Sequence, residues 1–342
     1  MKIFTKKHLL TFLLTLALAS LPSCLSQTST PATTDTGLRL SLPIDCTLGK
    51  DCHILSYTDR DPSKQFIDFG CGRQTYDGHD GTDFGIPDEK TMKKGVAVKA
   101  AAAGKIQNIR DGVPDKRIEN PQQAEAISNI GCGNAVVIDH PNGWRTYYCH
   151  LRNGSVTVKP GMQVEKGTTL GMVGSSGLAS FPHVHLGVLY KGKEIDPFLG
   201  PDVEKGCNIK GRPLWEQAIS YTPTGLIKAG FTSEKPDINT IWQGSLTDSQ
   251  PTTQSPALIF WVHPFGILKG DMEQHRLIAP DGTIAVENKN ELKSPNRING
   301  FSFIGKRNTA DKPLTAGTWR GEYQLRRGEK ILIDIQQQIE LR

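Results

Sequence analysis

Between about residue 66 and residue 200 the chain is a succession of short apolar runs cut off by glycine-rich turns: Val96 to Ala103, Ala135 to Asp139, Trp144 to His150, Val156 to Val158, Thr169 to Val173 and His183 to Tyr190. Runs this short do not make helices of ordinary length, and each interior glycine costs a helix about 1 kcal/mol relative to alanine. The same spacing suits strands joined by tight turns, and it predicts a mostly antiparallel β domain. Pro141-Asn142-Gly143 separates two of the runs. Asn-Gly is a strong hairpin signal because both residues tolerate positive φ, so the strands ending at Asp139 and starting near Trp144 are expected to pair. Residues 110 to 130 interrupt the pattern with a polar insertion that has room for a short helix. A long insertion of this kind is either a binding wall or passive decoration.

From about residue 222 to residue 342 the composition shifts to a second β-rich stretch. Ala257 to Val262 is a buried run, and Ala279-Pro280-Asp281-Gly282-Thr283 is a turn. Near the end, Trp319, Tyr323 and Leu325 fall on one strand face, and Ile331, Ile333 and Ile335 on one face of the next. A small immunoglobulin-like sandwich fits this pattern. The fold class expected is therefore mainly β, with one compact antiparallel domain followed by a β-sandwich.

The chain starts with a basic stretch (Lys2, Lys6, Lys7), an apolar run from Leu9 to Leu18, and then small residues, the layout of an export signal. The run is shorter than the roughly 20 residues of a spanning helix. Leu21-Pro22-Ser23-Cys24 resembles a bacterial lipoprotein processing box, which would leave Cys24 carrying a lipid and attach the chain to a membrane; Pro22 is an unusual occupant there, and ordinary cleavage a little further on is the alternative. Residues 25 to 37 have almost nothing to bury and read as a tether. Without the three leader lysines, 37 basic residues face 35 acidic ones. That balance gives no reason to expect a nucleic-acid partner.

Setting Cys24 aside leaves six cysteines, an even number in an exported and oxidising setting. Six allow 15 connectivities. Local sequence favours Cys46 with Cys52, around a short glycine-containing loop, and Cys132 with Cys149, flanking the hairpin, which leaves Cys71 with Cys207. No Cys-x-x-Cys pair is present to suggest a zinc-thiolate site.

The chemistry-bearing residues come in two groups. Gly78-His79-Asp80-Gly81-Thr82-Asp83 presents an imidazole and a carboxylate on a turn leading into a strand, since two glycines in six residues argue against a helix. About 100 residues later, Pro182-His183-Val184-His185 places two imidazoles on one face of a strand. His79, Asp83 and one of the later histidines would offer two nitrogens and one oxygen, a set that suits zinc and leaves a position open for water, as catalytic zinc sites do.

With these pieces assembled, residues 70 to 200 resemble the lysostaphin-like and LytM-like peptidoglycan endopeptidases. The matching motifs occur in the family's order: His79-x-x-x-Asp83; Gly131-x-Gly133-Asn134-x-Val136-Val137-Ile138-x-His140; Thr146-x-Tyr148-x-His150-Leu151; Val158-Lys159-x-Gly161 with Gly167 and Gly171; and Pro182-His183-x-His185. The resemblance implies a compact antiparallel β domain with a groove across one Zn²⁺ per chain. It implies His79, Asp83 and His185 as metal ligands, His150 and His183 as catalytic groups beside the metal, and stem peptides or cross-links of peptidoglycan as substrate. For the wall of a diderm bacterium the implied bond is the D-alanyl to diaminopimelate cross-link or a stem-peptide bond. Phe181 stands where a glycine commonly precedes the proline, and Gly187 where an acidic residue often follows the last histidine; both departures bear on the groove's shape. Two other readings share the scaffold: an envelope protein that keeps the zinc domain and regulates other wall hydrolases, and an exported protease acting on proteins.

Domain boundaries follow as 1–24 for the leader, 25–37 for the tether, 38–208 for the metallopeptidase domain and 222–342 for the C-terminal sandwich. Tyr148 shares strand parity with His150 and is a weaker candidate for oxyanion or substrate contact. Trp144, Tyr147 and Trp319 could line a glycan groove, although aromatics at strand spacing are more often packing residues. His140 reads as a hairpin residue, and His53, His263 and His275 as ordinary ones.

Overall fold

Hydrogen-bonded strands dominate the architecture, and the glycine-rich turns set where each begins. A computed structural model describes residues 37–248, 250–294 and 297–342; the expected leader, the lipid box at Cys24 and all but the last residue of the tether lie outside these. The first group of strands comprises β1 (His53–Ser56), β2 (Gly81–Gly85), β3 (Ala97–Lys99), β4 (Gly104–Arg110), β5 (Asn134–Asp139), β6 (Trp144–Leu151), β7 (Gln163–Val164), β8 (Thr169–Met172), β9 (His183–Tyr190) and β10 (Lys193–Glu194). Eight of them form one antiparallel sheet in the order β1-β2-β9-β6-β5-β4-β7, with β10 also pairing β9, while β3 and β8 pair separately. Ile106, Val136, Ile138, Tyr148, Leu151, Val184, Leu186 and Val188 supply its buried face and join one continuous core.

The hairpin between β5 and β6 turns through Asn142 and Gly143, both at positive φ, and pairs Asp139 with Arg145 as the Asn-Gly signal requires. Three disulfides close the expected pairs: Cys46 with Cys52, Cys132 with Cys149 and Cys71 with Cys207. Two details depart from the sequence reading. Val156 to Val158 forms no strand; Thr157 makes a single backbone bond to Leu170 instead. The strand β4 falls outside the apolar runs because Lys105, Gln107 and Asn108 dilute its apolar signal, and only Ile106 in it is fully buried.

The insertion after β4 does contain a short helix, α2 (Pro121–Ala126), begun by an Asn120 cap and a proline in the first turn. Its preceding loop is tied down: the Asp115 carboxylate accepts the N–H groups of Ser175 and Asn153, each at 2.9 Å.

The second group comprises β11 (Gly225–Thr232), β12 (Ala257–Ile267), β13 (Met272–Ile278), β14 (Ile284–Glu291), β15 (Arg297–Asn299), β16 (Ser302–Arg307), β17 (Gly317–Arg327) and β18 (Lys330–Leu341). One sheet runs β11-β12, with β15 and β16 both pairing β12, and the other runs β14-β13-β17-β18. Leu258, Phe260 and Val262 of the first sheet pack against Leu277, Trp319, Tyr323 and Leu325 of the second, which makes this a sandwich. A Cβ at Gly321 would come within 2.4 Å of the Phe260 ring, so the close approach of the sheets needs glycine there. Trp144 and Trp319 are buried packing residues, and Ile331 extends past the sandwich core into solvent. Among the described residues no helix is long and apolar enough to cross a membrane.

Candidate metal centre

The two histidine-bearing segments meet because β2 and β9 are neighbours in the sheet. Their register sets Asp83 directly opposite His185, and the turn before β2 folds His79 back over the same spot. The Nε2 of His79 lies 3.1 Å from Asp83 Oδ1 and 3.1 Å from His185 Nδ1, and His185 Nδ1 lies 2.9 Å from the same Asp83 oxygen. All three side chains are buried.

Tautomers follow from the outer partners. His79 Nδ1 sits 2.7 Å from the Tyr57 carbonyl, which can only accept, so this nitrogen carries the hydrogen and Nε2 points inward with its lone pair. His185 Nε2 lies 3.2 Å from Asp80 Oδ1, so it donates outward and Nδ1 faces the cluster. With both imidazoles neutral, two nitrogen lone pairs and a carboxylate converge with no donor among them. Such a group demands positive charge. Burial alone would raise the Asp83 carboxyl, but the facing imidazoles of His79, His183 and His185 outweigh it and hold Asp83 well below the usual carboxylate range. Burial alone would lower His185, but Asp80 and Asp83 prevail and push it up to about 9. A proton on His185 Nδ1 is one way to satisfy the cluster; a divalent cation held by two nitrogens and an oxygen is the other, and the donor set fits zinc. The three ligating atoms lie within 4.8 Å of one another.

Beside the cluster stand two further imidazoles. His183 Nδ1 donates to the Phe181 carbonyl at 2.8 Å, and its Nε2 lies 3.6 Å from Asp83 Oδ1. His150 Nδ1 donates to the Ser176 carbonyl at 2.8 Å, and its ring centroid is 4.5 Å from that of His183. Each therefore keeps an Nε2 free of backbone partners. Burial, reinforced by the neighbouring imidazoles, lowers His150 well below the usual histidine value; burial also lowers His183. Both are neutral bases at pH 7.

His150 has φ +62°, a left-handed conformation that costs a non-glycine residue about 1–2 kcal/mol. Its N–H bonds the Cys132 carbonyl at 2.9 Å, next to the disulfide from Cys132 to Cys149, and these contacts hold the strained residue in place. The strain corrects the reading of Tyr148. Alternation along β6 stops at His150, so Tyr148 does not share its surroundings: its hydroxyl accepts from Ala101 N–H at 2.8 Å, deep in the core and away from the cluster. Tyr147, opposite Gly187 in the register, is the tyrosine on the site's face. Its ring lies 5.7 Å from that of His185, and its hydroxyl bonds Asp80. A Cβ at Gly187 would fall 1.8 Å from the Tyr147 ring, so glycine in place of an acidic residue makes room for this tyrosine.

Asp80 is a site component that sequence reasoning missed, legible only as a neighbour of His79; Tyr147, raised there as a possible groove residue with packing preferred, is brought to the site's face by the pairing of β6 with β9. Asn134 organises the floor: its backbone N–H bonds Ser176 Oγ and its amide bonds the carbonyls of Val113 and Leu151. A Cβ at Gly133, which also has positive φ, would strike the Ser176 backbone at 2.4 Å. His140 bonds the Ala103 carbonyl and Thr146, a structural role.

Comparison with known proteins bears on the same region. Residues 77–197 match Peptidase family M23. The cell division protein DipM of Caulobacter vibrioides is 40% identical over 124 residues, which cover 34% of this chain and 19% of DipM. The peptidoglycan DD-endopeptidase ShyA of Vibrio cholerae is 29% identical over 118 residues, 34% of this chain and 22% of ShyA. The catalytic domain of the antimicrobial peptidase lysostaphin from Staphylococcus simulans aligns over 42% of this chain and 85% of that chain, at 24% identity and a TM-score of 0.27. The chain thus spans about a fifth of the length of these two curated relatives. The match to Peptidase family M23 over residues 77–197 bears out the resemblance to the lysostaphin-like and LytM-like peptidases over that part of the chain.

Proposed function

We propose that this protein is an exported zinc metalloendopeptidase that hydrolyses peptide bonds in bacterial peptidoglycan, with residues 38–208 as its catalytic domain and 222–342 as an appended sandwich. The observation that carries this reading is the convergence of His79 Nε2, Asp83 Oδ1 and His185 Nδ1, a set that needs a proton on His185 or a cation to satisfy it, flanked by the imidazoles of His150 and His183. These three atoms would hold the metal. Zn²⁺ bound there supplies a Lewis acid that polarises a scissile carbonyl and lowers the pKa of water toward about 7.

The chain's own residues supply the rest. His150 and His183 each present Nε2 to the site; one, neutral, takes a proton from the attacking water and returns it to the leaving amine, while the other can donate to the developing oxyanion only as an imidazolium, because its Nδ1–H is already committed to a backbone carbonyl. Their Nδ1–H bonds to Ser176 and Phe181 fix which nitrogen does this. Peptidoglycan as substrate is supported by the names of two of the relatives, ShyA and ShyB, both peptidoglycan DD-endopeptidases. Three disulfides among the described residues support an oxidising location outside the cytoplasm, in the cell envelope or beyond it.

The test is muropeptide analysis of purified sacculi incubated with the protein, comparing zinc-loaded, chelator-treated and His183→Ala samples. New stem-peptide products that require both zinc and His183 are expected, and they identify the bond. Stoichiometric zinc with no product from any sacculus type would instead favour the regulatory or protein-directed alternative.

A further inference from the structure

The sandwich touches the M23 domain through a small aromatic and aliphatic cluster. Leu55 and Phe181 come from one side, and Ile227 of β11, Phe265 of β12 and Trp242 from the other. Trp242 sits on α3 (Ile238–Gln243), a helix of two turns fixed at both ends. Asp237 and Thr240 form a capping box at its start, and Gly244 closes it in the left-handed conformation.

This helix does not hang freely on the sandwich. A Cβ at Gly244 would come 2.9 Å from the carboxyl carbon of Asp88, which caps α1 (Glu89–Lys94) in the M23 domain. The buried Asp88 carboxylate also accepts from Lys228 Nζ of β11 at 2.5 Å, and Lys90 pairs with Asp248 just beyond α3. Two charge pairs and a close backbone approach therefore locate Trp242 against the peptidase domain.

What Trp242 touches there is Phe181. The two rings stack with centroids 5.5 Å apart and an interplanar angle of 18°. Phe181 in turn holds His183 twice: its ring lies 4.5 Å from the imidazole, and its carbonyl accepts the Nδ1–H at 2.8 Å. Rotation of an imidazole about its last torsion is soft, because that torsion joins sp³ and sp² atoms, so the aim of Nε2 depends on such outside contacts. The ring contact on His183 is lost if the Phe181 side chain rotates away, and the Trp242 ring is the wall on its far side.

We propose that Trp242 is a positioning residue for His183, so that the C-terminal sandwich, acting through Trp242 and Phe181, is part of the catalytic apparatus. This inference rests on the peptidase reading above.

The test uses the full zinc-loaded chain with Trp242→Leu and Trp242→Phe, assayed on a cross-linked muropeptide dimer. Ring proton and carbon resonances of the histidines are recorded in parallel, the His183 signal being assigned by its loss in His183→Gln. For Trp242→Leu we expect kcat to fall roughly tenfold or more, as misplaced catalytic groups do, with KM and zinc content unchanged and the His183 resonance shifted. Trp242→Phe keeps an aromatic wall and should recover most of kcat and the native resonance. If Trp242→Leu does not fold, Trp242→Met takes its place. A folded Leu or Met variant with wild-type kcat and an unmoved His183 resonance overturns the proposal, and so does an equal loss in Trp242→Phe. Should the wild-type protein cleave no muropeptide, the peptidase reading fails separately, and the His183 resonance alone decides whether Trp242 positions it.

Discussion

Asp80 Oδ1 lies 3.2 Å from the Nε2 of His185, on the side of the imidazole facing away from the candidate metal cluster of His79, Asp83 and His185. The contact fixes the tautomer in which Nδ1 faces His79 and Asp83, and it makes Asp80 the outer carboxylate of the site. Outer partners of this kind typically contribute 10- to 100-fold in metal affinity. Asp80→Asn should therefore weaken zinc binding by about 10- to 100-fold, measured by competition with a chromogenic chelator. Unchanged affinity would remove Asp80 from the site.

Gly187 and Tyr147 test the same arrangement from the other side. A side chain at 187 cannot coexist with the Tyr147 ring in its present place. Gly187→Ala should destabilise the fold by about 1–3 kcal/mol through overpacking. Combining it with Tyr147→Ala should recover part of that loss, because the two positions share one space. Denaturant melts of the single and double variants give the coupling; strict additivity would contradict the steric account.

The disulfide from Cys132 to Cys149 closes a loop of 17 residues next to the strained His150. Replacing both cysteines by alanine should cost about 3 kcal/mol of stability on the chain-entropy estimate. It should also lower kcat more than zinc content, since His150 loses its support while His79, Asp83 and His185 keep theirs. Thermal melts and metal analysis of the double variant check both parts.

Asp196 gives a pH dependence away from the metal centre. It is buried, its Oδ1 accepts the Phe198 N–H at 2.9 Å, and its Oδ2 has no partner among the described residues. Burial pushes it up to about 6, against opposition from the Phe198 N–H, Arg60 and Lys205 and with a small push from Asp68. Because the folded value lies above the unfolded one, near 3.9, the folded state binds the extra proton. This contribution is fully present below the unfolded value and is lost as pH rises through about 6. It amounts to roughly 3 kcal/mol between pH 4 and pH 7. Relative to Asp196→Asn, which has no carboxyl to titrate, the wild-type protein should lose stability by that order as pH rises from about 4 to about 7, followed by urea melts across this range; a constant difference would mean that Asp196 is ionised throughout.

The sequence by itself determined which atoms could form the site and on which elements they ride. A cation of this kind needs imidazole and carboxylate donors, so His79, Asp83, His183 and His185 stand out by residue type. The two-residue period of a strand places His183 and His185 on one face. The Asn-Gly turn was equally local: positive φ at Asn142 and Gly143 is a property of those residues, and it dictated the pairing of β5 with β6. Local rules fail where a neighbour in space overrides them. Parity along β6 pointed to Tyr148, yet positive φ at His150, held by Cys132 and Ser176, breaks the alternation and gives the site Tyr147 instead. Asp80 acquired its role only when the register of β2 on β9 brought His185 beside it, and Phe181 acquired Trp242 only when the sandwich packed against the peptidase domain. Those contacts join residues far apart in the chain, and their energy depends on distance and orientation in the folded state, which no periodicity along the sequence encodes.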